Sequence, residues 1–259
     1  MARIFNGTSQ SMSAGSQISP GSKFTIAFWL WFDSYSNTDT FVFEESANYT
    51  VGNAFRLSPA DTVTSKWGFG VHTSNGFTYG GFNRPSAAAW HHFVLTAELK
   101  NSSVLQAYVD GAASTVSYAL GPQNDSGVNF DTDFLYSMAR NNSSNWVAGR
   151  LAEIAFWSGT VLSANDASIL GLGYSPALVR PDALTYYWPL LAGTSPELEL
   201  VRHNEFALTA SPSTTGHPTV IYPAPPLLGS RTPVVVVNYN PFIYTANGES
   251  YQGPFTYDE

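Results

Sequence analysis

The chain contains no cysteine among its 259 residues, and this absence removes several kinds of chemistry at once. Disulfide bonds, thiolate metal sites and cysteine nucleophiles are all excluded. A chain of 28.1 kDa is nevertheless long enough to bury about 70 to 75% of its unfolded surface on folding. We therefore expect a stable hydrophobic core without covalent cross-links.

Positive charge is also scarce. Eleven Lys and Arg residues stand singly against nineteen Asp and Glu residues, which gives a formal net charge of −8. Proteins that bind nucleic acids neutralise phosphates with a stripe or patch of basic side chains, and none is present in this sequence. The composition therefore argues against a nucleic-acid partner.

Long apolar runs are missing as well. The longest, Ile26 to Phe32, is far short of the roughly 20 residues that cross a bilayer as a helix. The start of the chain, Met1 to Gly7, reaches a turn residue after only two apolar residues, whereas a secretory signal needs about 7 to 15. We therefore expect neither a signal peptide nor membrane insertion.

The sequence is rich in segments with the period of two that is typical of β-strands. Phe24 to Phe32 alternates large apolar residues with Thr25, Ala27, Trp29 and Trp31, so both faces of the predicted strand are apolar enough to be covered. Seven further strands are predicted: Asp39 to Phe43, Phe55 to Leu57, Trp67 to His72, Phe77 to Phe82, Trp90 to Glu98, Val104 to Asp110 and Gly149 to Trp157. Short strands at this spacing predict an all-β sandwich or barrel.

Two local signals refine this fold. Asp110-Gly111 predicts a hairpin turn, because a type I′ turn requires positive φ at both central residues. Ser163 is a predicted N-cap with Asp166 three residues later, and Gly171 and Gly173 end the short helix that it begins.

The composition changes after Tyr222. Six prolines fall within the last 37 residues, so we place a boundary between a domain at 1–222 and a Pro-rich arm at 223–259. Within the arm, 232–244 is a nearly uncharged, β-prone strip that must be covered to avoid aggregation. It either adds a strand to its own sheet or pairs with a neighbouring subunit. The residues predicted to make this contact are Pro233, Val235, Val237, Tyr239, Phe242 and Tyr244.

Several motifs follow one another in a recognisable order along the chain. They are Phe5-Asn6-Gly7-Thr8-Ser9, Phe24-Thr25-Ile26-Ala27-Phe28-Trp29, Trp90-His91-His92-Phe93-Val94-Leu95-Thr96, Tyr108-Val109-Asp110-Gly111, Gly149 to Trp157, Gly173-Tyr174-Ser175-Pro176, Leu184 to Leu190 and His217 to Tyr222. This order resembles the laminin-G-like jelly rolls of the concanavalin A-like lectin/glucanase superfamily, of the kind encoded in tailed phages and their hosts. The resemblance covers roughly 1–222 by its strand pattern. It implies a two-sheet antiparallel jelly-roll sandwich, with the arm as an extension.

Such a fold does not determine function, because the superfamily includes lectins, glycosidases, adhesion modules and particle components. Its glucanases carry Glu-x-Asp-x-x-Glu or a close variant on one strand, and this spacing is missing here. Glu44 and Glu45 point to opposite faces if they lie in a strand, and Glu197 and Glu199 lie in a Pro-flanked loop. No Gly-x-Ser-x-Gly elbow occurs either, although composition leaves a Ser-His-Asp set open. We expect a protein that is not an enzyme.

Two segments raise the question of a metal ion. His91 and His92 are adjacent, so their side chains leave opposite faces of a strand and cannot share one ion. For His92 we expect a buried structural histidine. The segment 124–133 is rich in the oxygen ligands that calcium prefers, but Asx turns explain the same residues. Calcium therefore stays open at this point, and no other cofactor is expected.

Aromatic side chains outside the predicted core could stack on sugar rings. The candidates for glycan binding are Trp67, Tyr79 and Trp146. The alternative for each is packing in the core, which most aromatic residues of a sandwich fill.

These observations favour binding over chemistry. The leading hypothesis is a non-enzymatic accessory virion protein of a tailed phage, made in the host cytoplasm and displayed on the capsid or tail for decoration or adhesion. Its expected partners are further copies of itself, a capsid or tail protein, and a host surface glycan. The alternative hypothesis is a glycan-binding or glycan-cleaving domain of a bacterial protein.

Overall fold

A computed structural model describes residues 1–35, 40–46, 52–59, 66–140 and 144–223, together with the backbone of 243–246 and 249–252. Eighteen strands lie in these ranges. The first nine are β1 (Ala2–Asn6), β2 (Ser11–Ala14), β3 (Lys23–Trp31), β4 (Phe43–Glu45), β5 (Ala54–Ser58), β6 (Trp67–Thr73), β7 (Gly76–Phe82), β8 (Trp90–Glu98) and β9 (Val104–Val109). The others are β10 (Ala112–Ser114), β11 (Ser117–Leu120), β12 (Leu135–Ser137), β13 (Ala148–Ser158), β14 (Tyr186–Trp188), β15 (Phe206–Thr209), β16 (Ser213–Thr215), β17 (Ile243–Ala246) and β18 (Glu249–Gln252).

Sixteen of these strands form two antiparallel sheets of eight strands each, which confirms the predicted jelly-roll sandwich. Sheet A has the order β10-β9-β8-β3-β13-β1-β16, with β14 paired to β13. Sheet B has the order β11-β7-β6-β5-β4-β12-β2-β15. Aromatic rings fill the space between the sheets: Phe24 stacks on Phe156 at 5.2 Å, and Phe28 stacks on Phe93 at the same distance.

The outer face of sheet A is partly covered by helix α1 (Ala164–Gly171) and the segment that follows it. Ala27 and Trp157 point to this side and are fully buried in a second apolar cluster with Leu170 of the helix. The helix begins as predicted, with a capping box in which Ser163 and Asp166 each bond the other's backbone N–H.

The strand predictions are largely confirmed, and β8 matches its predicted bounds. The hairpin between β9 and β10 turns at Asp110 and Gly111, which have φ angles of 51° and 79°. The prediction of a strand from Asp39 to Phe43 is wrong for the described residues. Phe41 bonds the carbonyl of Asn145 outside any sheet, and the strand begins at Phe43 and runs through two glutamates.

The arm is described only in part. Backbone hydrogen bonds pair β17 with β18 as a two-stranded hairpin, in which Tyr244 lies opposite Tyr251. The other predicted contact residues of the arm, Pro233, Val235, Val237, Tyr239 and Phe242, lie outside the described residues. The boundary at Tyr222 and the assembly role of the arm stay predictions.

Candidate functional site

A cleft of about 240 Å³ opens at one end of the sandwich. It lies where β3 ends, where β13 begins and where the turn after β1 folds back. Aromatic and polar residues line it together: Asn6, Gly7, Phe32, Ser34, Tyr35, Thr40, Pro59, Trp146, Val147 and Ala148. Pockets for drug-sized ligands measure about 300–1,000 Å³, so this cleft suits a smaller ligand such as one sugar unit.

The turn at Asn6 and Gly7 gives one wall of the cleft a fixed shape. Asn6 Oδ1 accepts the backbone N–H groups of Thr8 and Ser9 at 3.0 and 3.1 Å, which is an Asx turn. Gly7 has a φ of 69°, and a Cβ at this position would lie 2.8 Å from the Cβ of Ala148. Only glycine lets the turn approach β13 this closely.

Tyr35 forms the aromatic part of another wall. Its ring lies 5.3 Å from Phe32, and the guanidinium of Arg84 lies 5.4 Å from its centroid. Burial raises the pKa of Tyr35, although the neighbouring Trp67 and Arg84 side chains act in the opposite direction. The phenol therefore stays neutral at physiological pH and can both donate and accept hydrogen bonds.

Among the described residues, those that line the cleft carry no charged side chain. The hydroxyl groups of Ser34 and Thr40 make no hydrogen bond to any residue within the described ranges, so both can serve a ligand. Neutral hydroxyl and amide groups beside aromatic rings fit the hydroxyl-rich edges and apolar faces of a neutral sugar. Arg84, which lies over the Tyr35 ring, is not itself among the described lining residues, so an anionic ligand would find no counter-charge among them.

The three aromatic residues predicted to bind glycans have different positions in the structure. Trp146 is half-buried and lines the cleft. Trp67 is 0% exposed and packs between the sheets, 4.7 Å from Phe93, so it offers no face to a ligand. Tyr79 is 2% exposed, with Arg56 over its ring at 4.9 Å. For Trp67 and Tyr79 the alternative of packing is correct.

Two lining residues, Asn6 and Tyr35, were not singled out by the sequence as ligand-binding. Asn6 lies in the Phe5 to Ser9 motif, which supports the family resemblance but does not indicate that Asn6 lines a cleft. Tyr35 lies in a loop after β3, and nothing local in the sequence indicates that it meets Trp146. Their proximity depends on strand pairing across the chain.

The adjacent glutamates of β4 point to opposite faces, as expected. Glu44 bonds Arg140, with an Oε1 to Nη2 distance of 3.2 Å. Glu45 faces the core between Phe55 and Leu135, and neither of its carboxyl oxygens has a hydrogen-bond partner of ordinary geometry in the described ranges. Burial raises its pKa well above the ordinary value, helped by Asp133 and Asp131, although the Asp133 backbone acts to lower it.

Glu197 and Glu199 are buried, and both bind groups of the protein itself. Glu197 is buried against Arg3, which also donates to the carbonyls of Pro212 and Thr194. Glu199 accepts four backbone N–H groups, from Tyr187, Val201, Arg202 and Asn204. Both carboxylates therefore stabilise the loop before β15.

The side chains of the adjacent His91 and His92 leave opposite faces of β8, as expected. His92 is buried, its Nδ1 has no hydrogen-bond partner among the described residues, and burial lowers its pKa to about 3. His91 Nδ1 lies 2.7 Å from Asp110 Oδ2, and its Nε2 lies 3.2 Å from Ser86 Oγ and 3.0 Å from the Ser86 carbonyl oxygen.

Ser86, His91 and Asp110 are connected in the same order as the nucleophile, base and acid of a serine catalytic triad. However, the nearest atom to His91 Nε2 is the Ser86 carbonyl oxygen, not the hydroxyl. Asp110 Oδ1 also accepts the backbone N–H of His92 at 2.9 Å. The group therefore fastens the β9–β10 hairpin and the loop before β8 to each other.

Turn chemistry accounts for the carboxylates in the segment 124–133. Asp125 is buried and accepts the hydroxyls of Thr73 and Ser103 at 2.5 and 2.6 Å. Asp131 accepts the backbone and side-chain N–H groups of Asn53, and Asp133 accepts the N–H of Phe134. Within the described ranges, no group of three or more His, Asp or Glu side chains could hold a metal ion. We therefore propose no calcium site.

The fold and the cleft can now be compared with known proteins. A family model described as the Concanavalin A-like lectin/glucanases superfamily matches residues 6–168, more than half of the chain. The chain belongs to this superfamily. A comparison with curated proteins finds no match. Among the described residues, no helix has the length and apolar composition needed to cross a membrane.

One solved structure of similar shape supports the same fold. A putative carbohydrate-binding protein from Bacteroides ovatus aligns with a TM-score of 0.54 at 16% identity, over 82% of this chain and 61% of its own. An identity this low shows the fold and nothing about the ligand. A heptameric SAP-like pentraxin from Limulus polyphemus aligns with a TM-score of 0.48 at 11% identity, over 66% of this chain and 81% of its own.

Proposed function

We propose that this domain is a non-enzymatic glycan-binding module that holds the end of a neutral saccharide in the cleft beside Trp146. The observation that carries the proposal is the lining itself, in which three aromatic residues, Phe32, Tyr35 and Trp146, lie beside unused hydroxyls and, among the described residues, no charged side chain. The superfamily fold and the carbohydrate-binding name of the Bacteroides ovatus protein support the same class of ligand.

The small size of the cleft favours a chain end over the middle of a polysaccharide. A cleft of about 240 Å³ has room for about one sugar unit, whereas a groove for an internal segment has to extend past that unit in both directions. Single sites of this kind bind weakly, and several copies on one particle would raise the avidity without new contacts.

The test is binding of the purified chain to a panel of neutral and acidic oligosaccharides, followed by calorimetry on any ligand found. Loss of one aromatic contact costs about 1.4 kcal/mol, so Trp146→Ala should weaken binding roughly tenfold. Trp90→Ala is the matched control, because Trp90 is also half-buried but lies outside the lining. Equal losses in both variants, or binding of acidic sugars alone, would contradict the proposal.

We further propose that the module acts on the virion surface of a tailed phage, on the capsid or tail, with the arm as its attachment. The support is the resemblance of the domain to phage-encoded laminin-G-like domains and the β-prone arm that follows it. The full chain should then co-sediment with particles of the phage that encodes it, whereas a chain cut after Tyr222 should not. Equal sedimentation of both chains would count against attachment by the arm.

A further inference from the structure

The cleft has an apolar floor and a polar rim. Its buried lining residues are Phe32, Pro59 and Val147, and none of the three carries a polar side chain. Its exposed lining residues include Asn6 and Ser34, which carry an amide and a hydroxyl group. A sugar ring bears hydroxyls on most of its carbons, and a hydroxyl pressed against this floor would lose its hydrogen bonds to water. The floor therefore suits an apolar substituent of the sugar better than the ring itself.

Hydrogen-bond donors without an acceptor lie together at Tyr35, on one wall of the cleft. Trp67 Nε1 and Arg84 Nε are both buried and have no partner of ordinary geometry among the described residues. The Arg84 guanidinium lies 5.4 Å from the centroid of the Tyr35 ring. Burial raises the pKa of the Tyr35 hydroxyl and the Trp67 indole acts in the opposite direction, so the indole N–H lies beside the phenol oxygen.

The hydroxyl hydrogen of Tyr35 is the donor of this group that belongs to the lining. It has no acceptor among the described residues, so it is free to bond a ligand. Native proteins leave few buried donors without an acceptor, because each one costs free energy. This wall therefore favours a ligand that brings an acceptor and no donor of its own.

An acetyl group meets the demands of both the floor and the wall. Its methyl group is apolar, and its carbonyl oxygen accepts hydrogen bonds but donates none. A sugar hydroxyl in the same place would add a further donor to a wall of donors. A carboxylate would accept as well, but burying its charge against an apolar floor is costly without a paired cation. Arg84 is not among the described lining residues that could supply one.

We propose that the cleft recognises the acetyl group of a neutral acetylated sugar. The methyl group packs on Phe32, Pro59 and Val147, and the carbonyl oxygen accepts the hydroxyl hydrogen of Tyr35. The sugar ring then lies towards Trp146. This inference rests on the proposed glycan binding and narrows it to one class of sugar. In an N-acetyl sugar the amide N–H is one donor more, for which the unused hydroxyls of the lining offer an acceptor.

Calorimetry of the full chain with two pairs of methyl glycosides tests acetyl recognition. One pair is N-acetylglucosamine and glucose, and the other is N-acetylgalactosamine and galactose, so the members of a pair differ only in the acetamido group. At least one acetylated sugar should bind about tenfold more tightly than its counterpart. Equal affinities in both pairs, each weakened by Trp146→Ala, would overturn acetyl recognition and leave glycan binding intact. Absence of binding by all four sugars would contradict both proposals.

Tyr35→Phe tests the hydrogen bond, because it removes the hydroxyl and keeps the ring. It should weaken binding of the acetylated sugar about fivefold and leave the affinity for its counterpart unchanged. A loss confined to the acetylated ligand is not what a general disturbance of the cleft would produce. Tyr174→Phe is the matched control, because Tyr174 is 40% exposed and lies outside the lining. Equal losses for both ligands in Tyr35→Phe, or no loss at all, would overturn the proposal.

Two more ligands separate the possible sources of the acceptor. Methyl 2-O-acetylglucoside keeps the carbonyl and the methyl group but has no amide N–H. If it binds as tightly as the N-acetyl sugar, the acetyl group alone is recognised, whereas weaker binding that still exceeds that of glucose assigns part of the affinity to the N–H. Methyl glucuronide carries a carboxylate instead. Tighter binding of the glucuronide than of every acetylated sugar would overturn the proposal and assign the acceptor to a partner of Arg84.

Discussion

Tyr222 donates a hydrogen bond to Glu153 across 69 positions of sequence, and this bond joins the end of the domain to the centre of sheet A. Glu153 lies in the β13 bulge with a φ of 56°, which turns its side chain out of the normal alternation. Tyr187 donates to its other carboxyl oxygen, and Tyr187 in turn bonds Ser175 at 3.1 Å. One buried carboxylate therefore holds two segments that follow helix α1.

Removing the Tyr222 hydroxyl should lower the free energy of unfolding. Tyr222→Phe loses one hydrogen bond to a charged group and leaves Glu153 with one partner fewer, which costs about 1.5–3 kcal/mol. Urea denaturation followed by tryptophan fluorescence measures this difference. Tyr174→Phe is the control, because the Tyr174 ring is exposed. Equal stability of the two variants would show that the hydrogen bond from Tyr222 to Glu153 does not stabilise the end of the domain.

The two glutamates of β4 should respond to substitution in opposite ways. The pKa of Glu45 is raised by burial, so the folded state prefers the protonated carboxyl. Its contribution to stability is fully present below about pH 4.5 and is lost as the pH rises through the raised pKa. Glu45→Gln removes the ionisation and should be more stable than the original chain at pH 8 but not at pH 4.

The matched variant is Glu44→Gln, which weakens the ion pair with Arg140 and should lower the melting temperature at pH 8. Melting temperatures of the three chains from pH 4 to pH 8 decide the matter. If Glu45→Gln lowers the melting temperature at pH 8 as much as Glu44→Gln does, then Glu45 is ionised and paired in the folded protein. That result would contradict a protonated, buried Glu45.

His92 should make the protein sensitive to acid. Burial lowers the pKa of His92 to about 3, partly offset by Asp110, so the folded state prefers the neutral ring. The contribution of the neutral His92 ring to the free energy of unfolding is fully present above the unfolded pKa of about 6.5. It is lost as the pH falls towards 3, by up to about 1.4 kcal/mol per pH unit. His92→Gln should flatten this dependence in urea denaturation between pH 7 and pH 4. The exposed His203→Gln should not, and an unchanged slope in His92→Gln would assign the acid sensitivity to other groups.

The proposal of a non-enzymatic module predicts no turnover of saccharides. Incubation with the oligosaccharide panel should release no reducing ends, and a fluorophosphonate probe should not label Ser86. The reason is that Glu44 and Glu45 face opposite sides of sheet B and that the Ser86 carbonyl oxygen is the atom nearest to His91 Nε2. Cleavage that disappears in Glu44→Gln or Ser86→Ala would identify an enzyme.

Local patterns in the sequence predicted the parts of the fold that depend on local physics. The alternation of Phe24 to Phe32 predicted β3, the Asp110-Gly111 pair predicted the hairpin, and Ser163 predicted the start of the helix. β4 was misplaced because Glu44 and Glu45 break the apolar pattern, although both are buried in the strand. The strands β10 to β12 and β14 to β16 have only three or four residues, too few to show a period.

The candidate site was harder to predict because its residues come from distant parts of the chain. Asn6, Tyr35 and Trp146 meet only because β1 and β3 both pair with β13. A period of two shows that a strand has two faces but not which face is covered, so Trp67 could not be assigned to the core from sequence. Trp146 lies in a loop between strands and lines the cleft, and its role in glycan binding stays a prediction.

The most direct test of glycan binding in the cleft is a titration followed by the indole N–H signals of the seven tryptophans in a ¹H–¹⁵N NMR spectrum. The ligand is the neutral oligosaccharide that binds best in the panel. We predict a saturable shift of the Trp146 signal and unchanged signals from the buried Trp67, Trp157 and Trp188. A saturable shift centred on Trp90 or Trp31 with Trp146 unmoved would place the ligand elsewhere and contradict the account.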